Sequence, residues 1–514
     1  MKEPMPVRPR PIHYLETAEP AASRFRRRFL RLGAGLGLAG AVVGIAAAAT
    51  VLCLAQRTPR ELAPYVLHRA EKHNPVIVGS AALAAAWLLH ADRLAIVHLP
   101  ALPPRIGASP GRSGTIPEGG RLRLVSNPDE LGAAVAQANP GDVITLHPGV
   151  YRLEGWHPLK ANRPGTPEAP ITLRADRLGD VTIDSTLVEA IKVSAPYWHF
   201  ENLVIRGVCG DHSSCEHALH IVGKASDTLI RNNRFEDFNA QIKINGENGA
   251  FPDHGVIEGN TLIDTAPRQT ENPITPIDLV AASYWQISDN LIADFVRADS
   301  PRATYGAFAK GAGESTVFER NVVFCEWRLH GTPGEHVGLS LGGGGTAPGF
   351  RRDEGHTGFE QIGGIIRDNL IADCSDDGIY LNRAARSVVD RNTLIDTAGI
   401  DGRFVETSGT VIANLVDGVV RGRDGANLRG WDNDATPVLA LFAGWHPERA
   451  YFRDPADLDL TWRSIPDPPH DVTQRVDLCG KPRTALAPPG AFVDYAACLE
   501  RDDRRSESRD RTKS

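Results

Sequence analysis

The stretches VIEGNTLI, residues 256–263, and WQISDNLI, residues 285–292, decide the fold of this chain. Each places apolar residues on both sides of a short polar segment that ends in Asn. The same phrase recurs around Asn202, Asn233, Asn260, Asn290, Asn321, Asn369, Asn392 and Asn414, at spacings of 31, 27, 30, 31, 48, 23 and 22 residues. Such a period is typical of a solenoid, because one unit cannot bury its own apolar face and must stack on its neighbours.

Val, Ile and Leu alternate with polar residues inside each phrase, which predicts short parallel strands that point apolar side chains into a stack of coils. Asn tolerates left-handed backbone geometry, and stacked Asn side chains can hydrogen-bond along the stack. The sequence therefore predicts an all-β chain, a single-stranded right-handed parallel β-helix over residues 121–430. Residues 128–138, PDELGAAVAQA, predict an amphipathic helix that caps its open end.

The composition fits a turn-rich β protein and excludes one class of partner. Gly (50) and Pro (37) are abundant among 514 residues, and aromatic residues make up 6%. The net charge of −7 and the pI near 6.2 provide no basic face for nucleic acid. We expect no nucleic-acid partner, and nothing in the sequence indicates an oligomeric state.

The N-terminus predicts a membrane anchor. Residues 32–55 carry no charge and are long enough to span a bilayer, and residues 1–31 before them contain an arginine cluster. Since positive residues stay in the cytoplasm, we expect a signal anchor with the main domain in the periplasm or outside the cell. A cleaved signal peptide is the alternative.

Four further segments flank the β-helix. Residues 56–98 predict a helical neck, in which the apolar run 75–89 is too short to span easily and is interpreted as a packed or interfacial helix. A second crossing there is the alternative, and it would return the main domain to the cytoplasm. Residues 99–120 form a Pro/Gly linker, residues 431–500 an irregular C-terminal extension, and residues 501–514 a charged, disordered tail.

Six of the seven cysteines lie beyond the apolar segment that contains Cys53, an even number that suits disulfides in an oxidising compartment. Local pairing and pairing between neighbouring coils are both open, and buried free thiols are the alternative. The possible disulfide cysteines are Cys209 with Cys215, Cys325 with Cys374, and Cys479 with Cys498.

Alternation also predicts which side chains point outward along one face of the stack. These positions combine charged, hydroxyl and aromatic residues, which suit a polyhydroxylated and anionic chain; a plain solvated face is the alternative. The candidate substrate-binding residues are His220, Lys243, Asp278, Tyr380, Asn382 and Arg383, with Asn245, Phe308, Lys310 and Ser340 in the same row.

The 48-residue gap between Asn321 and Asn369 contains an inserted loop, residues 331–362, with the glycine run 342–345. A loop inserted into one coil is where a solenoid usually builds a site. The glycine run lacks the Lys-Ser/Thr ending of a phosphate-binding loop, and the histidines lack metal-ligand spacing. We therefore predict a site beside this loop and assign no metal ligands.

Three stretches carry a resemblance to a known family: PGDVITLHPGVY (140–151), APITLRADRLGDVTID (169–184) and YWHFENLVIRG (197–207). They resemble the opening coils of the pectate-lyase-like right-handed parallel β-helices, and are most similar to the chondroitinase B and alginate lyase family. AFAKGAGESTVFERN (307–321) and WRLHG (327–331) resemble that family's catalytic Lys strand and Arg-His-Gly turn. The resemblance implies Lys310 as the base that abstracts the C5 proton of a uronate, with Arg328 and His330 neutralising its carboxylate.

The resemblance also implies calcium, but Ala303 and Tyr305 occupy the positions of the family's acidic ligands. We therefore expect no certain cofactor. The resulting hypothesis is a membrane-anchored lyase or epimerase acting on an acidic polysaccharide. One alternative is a non-catalytic glycan-binding or envelope scaffold. The other is a glycoside hydrolase, for which Asp376 and Asp377 are adjacent acids near the outward row.

Overall fold

The computed structural model describes residues 50–51, 56–94, 96, 101–112, 119–155, 157–298, 300–470 and 475–499. The basic N-terminus, most of the predicted anchor including Cys53, and the charged tail lie outside these residues. Their predictions are therefore not tested by the structure.

Residues 121–435 wind into stacked coils whose strands form three long parallel sheets. A full coil contributes one strand to sheet A, the next to sheet B and the third to sheet C before the chain rises to the next coil. This arrangement confirms the predicted parallel β-helix, and it extends a few residues beyond the predicted end.

Within the described residues, sheet A consists of β1 (Arg121–Val125), β2 (Asp142–Leu146), β5 (Ile171–Ala175), β8 (Trp198–Glu201), β11 (Leu229–Arg231), β14 (Val256–Glu258), β17 (Gln286–Ser288), β21 (Val317–Glu319), β25 (Ile365–Arg367), β29 (Ser387–Asp390), β32 (Ser408–Ile412) and β35 (Asn427–Trp431). Sheet B consists of β3 (Gly149–Leu153), β6 (Val181–Ser185), β9 (Val204–Gly207), β12 (Arg234–Glu236), β15 (Thr261–Ile263), β18 (Leu291–Ala293), β22 (Val322–Phe324), β26 (Leu370–Ala372), β30 (Thr393–Ile395), β33 (Leu415–Val416) and β36 (Asp434–Ala435). Sheet C consists of β4 (Leu159–Ala161), β7 (Glu189–Val193), β10 (His217–Val222), β13 (Ala240–Asn245), β16 (Ile277–Val280), β19 (Thr304–Lys310), β23 (His336–Leu341), β27 (Ile379–Asn382), β31 (Gly399–Arg403) and β34 (Val419–Arg423).

Shorter elements complete the described chain. A small parallel sheet contains β20 (Gly313–Glu314), β24 (Gln361–Ile362) and β28 (Ala384–Ala385), and an antiparallel pair contains β37 (Phe452–Asp454) and β38 (Asp459–Trp462). The α-helices are α1 (Pro59–Ala70), α2 (Pro75–Asp92), α3 (Pro128–Ala136), α4 (Val438–Phe442) and α5 (Tyr495–Leu499). The 3₁₀ turns are His212–Ser214, Pro348–Phe350, Pro447–Tyr451 and Pro455–Asp457.

The repeated Asn forms a buried ladder at the turn between sheets A and B. The Nδ2 of Asn260 donates to the Oδ1 of Asn290 (3.0 Å), and the Nδ2 of Asn290 donates to the Oδ1 of Asn321 (2.9 Å). The same pattern links the members of the ladder, which are Asn233, Asn260, Asn290, Asn321, Asn369, Asn392, Asn414 and Asn433. The predicted ladder is confirmed.

Left-handed backbone geometry, by contrast, belongs to the residue before each ladder Asn. Asp289 and Arg320 have φ of 57° and 52°, while Asn290 and Asn321 do not have positive φ. Asn202 occupies this preceding position (φ 61°) and donates no ladder hydrogen bond to Asn233; instead its Oδ1 accepts from the Nδ2 of Asn232. The expectation that the ladder Asn itself supplies the left-handed turn is therefore wrong, because the residue before it makes this turn.

The open end of the stack is capped as predicted. Helix α3 begins at the N-cap Asn127, whose side chain accepts from the backbone N–H of Glu130. Leu131 and Val135 on its inner face are buried in the same apolar core as Ile144 of the first coils. The helix therefore prevents solvent from reaching the core at this end.

The outer faces of the three sheets have different neighbours. The C-terminal extension packs across sheet B, where Phe452, Leu460 and Phe492 join Leu291 and Phe324 in a second apolar cluster. The outer face of sheet A carries ion pairs between coils, such as Arg231 with Glu201. Only part of sheet C is covered, so its outer face is where a site can form among the described residues.

The predicted linker is not free over its described part. The Arg105 guanidinium pairs with Asp289, and the backbone N–H groups of Ala108 and Ser109 donate to Thr261 and Asn232 at the corner of the coils. Since these contacts satisfy backbone groups along the stack, residues 101–112 follow the β-helix surface.

Helices α1 and α2 form an antiparallel hairpin packed beside the β-helix. Helix α2 has 18 residues, so the prediction of a shorter apolar helix is wrong about its length: His90 and Asp92 continue it. By length and composition it is the one helix among the described residues that could cross a membrane, and about a fifth of it is buried.

The six cysteines of the described chain are joined in pairs. Disulfides connect Cys209 to Cys215 and Cys479 to Cys498 within local segments. A third connects Cys325 to Cys374, at the ends of neighbouring strands β22 and β26 in sheet B. This third bond therefore ties two coils together.

Candidate active site

The outward residues of sheet C lie in register from coil to coil. Strand pairing places His220 beside Lys243, Lys243 beside Asp278, Asp278 beside Phe308, Phe308 beside Ser340, and Ser340 beside Tyr380. The structure therefore brings together four of the candidate substrate-binding residues in one row. Asn382 and Arg383 follow at the end of the Tyr380 strand.

In the first half of this row, each polar or charged side chain has a partner. His220 contacts Glu189 through Nδ1 and Asn245 through Nε2, both at 2.7 Å. The Nζ of Lys243 lies 2.7 Å from a carboxylate oxygen of Asp278. Because these charges are mutually neutralised, this half forms a polar track rather than a strongly cationic one.

The glycine run covers the middle of the row. The N–H of Gly343 donates to Ser340 Oγ (3.0 Å), and Asn382 Nδ2 donates to the Gly343 carbonyl (2.7 Å). A Cβ on Gly342 would lie 1.8 Å from the Asn382 carbonyl oxygen, so the close approach requires glycine. Ser340 and Asn382 are buried as a result, and the loop closes over positions that the sequence assigned to substrate.

Lys310 lies beyond this glycine segment. Its Nζ donates to the Gly345 carbonyl (3.3 Å) and lies 4.2 Å from the centre of the Phe308 ring. Within the described chain it has no carboxylate at ion-pair distance, and burial lowers the pKa of its ammonium group.

Arg328 and His330 lie in the connection between β22 and β23, before the next strand of sheet C. Arg328 Nε contacts Asp294 Oδ2 at 2.6 Å, and His330 Nδ1 lies 3.1 Å from Asp373, whose hydrogen bond raises the histidine pKa. Lys310 instead ends β19, a strand of seven residues that spans about 20 Å. The structure therefore does not bring Lys310 together with Arg328 and His330, because they occupy opposite ends of the sheet C strands.

A cavity of about 930 Å³ opens on the second half of sheet C and is called the acid pocket here. Helix α1 forms one wall, the start of the inserted loop forms another, and the coils that contain β27 and β31 form the floor. The residues that line the acid pocket include Glu61, Tyr305, Glu335, Asp376, Asp377, Tyr380, Arg383, Arg403 and Arg423.

Asp376 is the unusual group in the acid pocket. Its backbone N–H donates to the His336 carbonyl on the neighbouring coil, but its carboxyl has no hydrogen bond or ion pair within the described chain. Burial, followed by the charges of Glu61 and Glu335, raises its pKa to about 8. Asp376 therefore holds a proton at neutral pH.

Two further carboxyls surround it. Asp377 is buried, and its Oδ1 has no hydrogen bond within the described chain, although the Arg421 guanidinium lies 3.9 Å away. Burial, followed by the charge of Asp376, raises its pKa well above the ordinary range. Glu335 is exposed at the start of the neighbouring strand, and partial burial followed by the charge of Glu61 raises its pKa. Glu61 differs, since the hydrogen bonds and charge of Arg421 outweigh its burial and hold its pKa at about 2.

Cationic and aromatic side chains complete the acid pocket. Arg383 is about half exposed, with its guanidinium over the Phe404 ring at 5.0 Å and Glu406 at 3.9 Å. Arg403 and Arg423 pair with Asp424 and Asp401, each at 2.7 Å. These groups can bind anionic and ring-shaped ligands, because guanidinium groups pair with carboxylates and aromatic faces pack on sugar rings.

The residues present do not match a calcium site. Ala303 and Tyr305 line the acid pocket where the family's acidic ligands would be, and burial raises the Tyr305 pKa rather than preparing an anionic ligand. In the described part of the chain, no three His, Cys, Asp or Glu residues are grouped to hold a metal ion.

The sequence indicated Asp376 and Asp377 as adjacent acids and Glu335 as part of the inserted loop, but gave no indication of Glu61. The adjacent acids were visible because they precede a strand of the repeat. Glu61 gave no signal, since its helix lies about 315 residues before Asp376 in the chain. Only the docking of α1 brings it to the same pocket.

No protein-family model matches the chain, and no curated protein matches it in sequence. Similar solved structures include pectate lyase Pel9A, at 12% identity, covering 73% of this chain and 97% of that chain, with a TM-score of 0.46. They also include the PL6-family polysaccharide lyase Pedsa3628 from Pseudopedobacter saltans (14% identity, 66% of this chain, 98% of that chain, TM-score 0.33) and a rhamnogalacturonan lyase (11%, 61%, 87%, 0.42). A pectate lyase is thus among the structures that resemble this chain, as its opening coils predict. At these values the similarity carries no argument about activity.

Proposed function

We propose that this protein is an enzyme that cleaves an acidic polysaccharide by hydrolysis in the acid pocket, with Asp376 as proton donor. The observation that supports the proposal is the partly exposed Asp376 carboxyl, which has no hydrogen bond or ion pair with any described residue and whose raised pKa keeps it protonated at neutral pH. A general acid needs this state, because it must protonate the oxygen of the departing sugar.

The second carboxyl in this scheme is Glu335. It precedes β23, and the backbone of Asp376 pairs with the first residue of that strand, so the two acids lie on adjacent coils about 5 Å apart along the stack. Glu335 is exposed, so its ionised form is better solvated than that of Asp376. It would act as the base or nucleophile that a carboxyl pair supplies in glycoside hydrolysis.

Arg383 and Tyr380 would bind the substrate. Arg383 is at the rim and has only a distant acidic partner, so it can pair with a uronate carboxylate. Tyr380 lies in the outward row beside Ser340 and presents part of its ring to the pocket. The polar track from His220 to Asp278 continues the row and would bind further sugar units.

The test is digestion of alginate, pectate and glycosaminoglycans, followed by measurement of new reducing ends. Asp376→Asn should lower the rate by about 100-fold or more, since it removes the transferable proton. Asp180→Asn, at an exposed turn on the β-helix, is the matched control and should retain activity. Full activity of Asp376→Asn would show that the acid pocket is not the reaction centre.

A second candidate chemistry is C5-proton abstraction at Lys310, by a lyase or an epimerase. The observation that favours it is the lowered Lys310 pKa in a position where no described carboxylate lies at ion-pair distance. Arg328 and His330 are remote, so Lys243, which also faces this part of the row, would have to neutralise the uronate. A lyase produces an unsaturated sugar that absorbs in the ultraviolet, and an epimerase exchanges the C5 hydrogen in heavy water; either signal should disappear in Lys310→Ala.

The same assays separate these enzymes from a glycan-binding scaffold, which would bind the polysaccharide with no turnover.

We further propose that the main domain works in the periplasm or outside the cell, held by residues 32–55. Its three disulfides support an oxidising compartment.

A further inference from the structure

Most of the apolar surface of α2 has no protein partner in the described chain; a narrow stripe packs on α1 and on Phe442. Of the 18 residues of α2, only Ala81, Ala85, Leu88 and Asp92 are buried, and they form a single stripe along the helix. The remaining faces expose large apolar side chains, including Leu83 (76%) and Trp87 (57%). A helix that is apolar all round normally lies in a protein core or in a membrane.

The hairpin is held rigidly at its base. Arg60 is buried between Asp92 and Asp396, at 2.7 Å from each carboxylate. Glu61 accepts two hydrogen bonds from Arg421 at 2.7 Å. Because breaking a buried ion pair leaves an uncompensated buried charge, these contacts fix the direction in which the hairpin projects from the coils.

We propose that the exposed apolar faces of α2 lie in the interfacial layer of a lipid bilayer, so that the hairpin holds the β-helix against the membrane surface. The sequence also indicates that a membrane lies next to the start of the hairpin. Residues 32–55 form an uncharged stretch long enough to span a bilayer, and its last residue is bonded directly to Gln56 at the start of the hairpin.

The polar groups of the hairpin favour a position in the plane of the membrane over a second crossing. Both helices meet the β-helix at the same end, where Arg60 pairs with Asp92, so α2 does not carry the chain across. The tip contains Arg69, Glu71 and Lys72, all exposed. Lying in the interface keeps these charges among the lipid headgroups, whereas inserting the tip would bury them in hydrocarbon.

Aromatic side chains agree with this placement. Tyr65 on α1 and Trp87 on α2 are each exposed by 57%, and both residue types concentrate at the membrane–water boundary. Helix α1 also forms a wall of the acid pocket, so the proposed contact brings the pocket to the membrane surface. This geometric consequence holds whatever reaction the pocket performs.

The test places a nitroxide spin label on the full-length protein in vesicles of phosphatidylcholine with a minority of phosphatidylglycerol. Leu83→Cys is labelled in a Cys53→Ser background, in which the other cysteines are disulfide-bonded. Val188→Cys is the matched control, because Val188 is exposed by 55% between β6 and β7, on coils that the hairpin does not contact among the described residues. Collisions with oxygen, which concentrates in lipid, are compared with collisions with a water-soluble nickel chelate.

We expect the Leu83 label to favour oxygen over the nickel chelate, and the Val188 label to show the reverse. If the Leu83 label were as accessible to the chelate as the control, the hairpin would lie in water and the proposal would be wrong. If it were shielded from both reagents, protein would cover α2, either residues 32–49 of the same chain or a second copy, and this too would overturn the proposal.

Discussion

At the scale of single residues, environment separates the roles of chemically identical groups. Glu61 and Asp376 line the same pocket, yet Arg421 holds the pKa of Glu61 at about 2 while burial raises that of Asp376 to about 8. A permanently ionised carboxylate suits a structural ion pair. A carboxyl that keeps its proton at neutral pH suits an acid catalyst.

The raised Asp376 pKa predicts a measurable pH dependence of stability. The folded protein holds this proton up to about pH 8, whereas the unfolded chain releases it near pH 4. Between these values the folded state binds more protons, so the free energy of unfolding falls as the pH rises. Urea denaturation at about pH 5 and about pH 8 should show a smaller loss for Asp376→Asn than for the wild type.

The control for this experiment is Asp180→Asn, which should follow the wild type at both pH values because Asp180 is at an exposed turn. An unchanged pH dependence in Asp376→Asn would mean that its carboxyl is ionised in the folded protein. That result would also remove the basis for assigning it as a proton donor.

At the scale of elements, the Asn ladder holds the turns between sheets A and B. Asn290 is fully buried, accepts from the backbone N–H of Asn260 (2.9 Å) and donates to the Ile257 carbonyl (2.9 Å). Each turn is thus tied to its neighbours on both sides. This repetition explains why a left-handed residue is tolerated before every ladder Asn.

Replacing Asn290 with Ala should destabilise the protein by about 3 kcal/mol, since buried backbone groups lose their partners. The midpoint of chemical denaturation measures the effect. Asn427→Ala is the control, because Asn427 is exposed on β35 and its replacement should change stability by less than about 0.5 kcal/mol. Equal effects of the two substitutions would show that the ladder contributes little.

At the scale of the whole molecule, the segments that pack on the outer faces of the three sheets decide which surface is available for function. The C-terminal extension packs on sheet B, and ion pairs between coils lie across sheet A. Sheet C is left open between the glycine run and the hairpin. The acid pocket exists because these two segments approach the same stretch of coils.

The disulfide between Cys325 and Cys374 acts at this scale, because it joins coils that are 49 residues apart in the chain. Replacing both cysteines with Ala should cost about 4 kcal/mol, since the unfolded chain regains the entropy of a long loop. The matched control is the double replacement of Cys209 and Cys215, which are separated by six residues and should cost about 2 kcal/mol. Thermal denaturation of both variants gives the comparison, and a larger loss for the short loop would contradict it.

Much of the fold could be predicted from local pattern. The recurring phrase around Asn260 and Asn290 specified parallel coils, an inward apolar row and an Asn ladder, and period-two alternation placed His220, Lys243, Asp278 and Tyr380 in one outward row. These features depend on residues within one coil and on the identical coil above it. The sequence could not show that Lys310 and Arg328 occupy opposite ends of a strand, because that depends on where each connection leaves the stack.

The sequence by itself determined the solenoid, since a repeated apolar phrase has one way to bury its surface, which is to stack. Only the tertiary structure decided the candidate site. Glu61, Glu335 and Asp376 lie far apart in the chain, and the docking of α1 and the path of the inserted loop bring them together. The physical reason is that stacking is a repeated local interaction, whereas the pKa values in the acid pocket arise from burial and charges that no local pattern encodes.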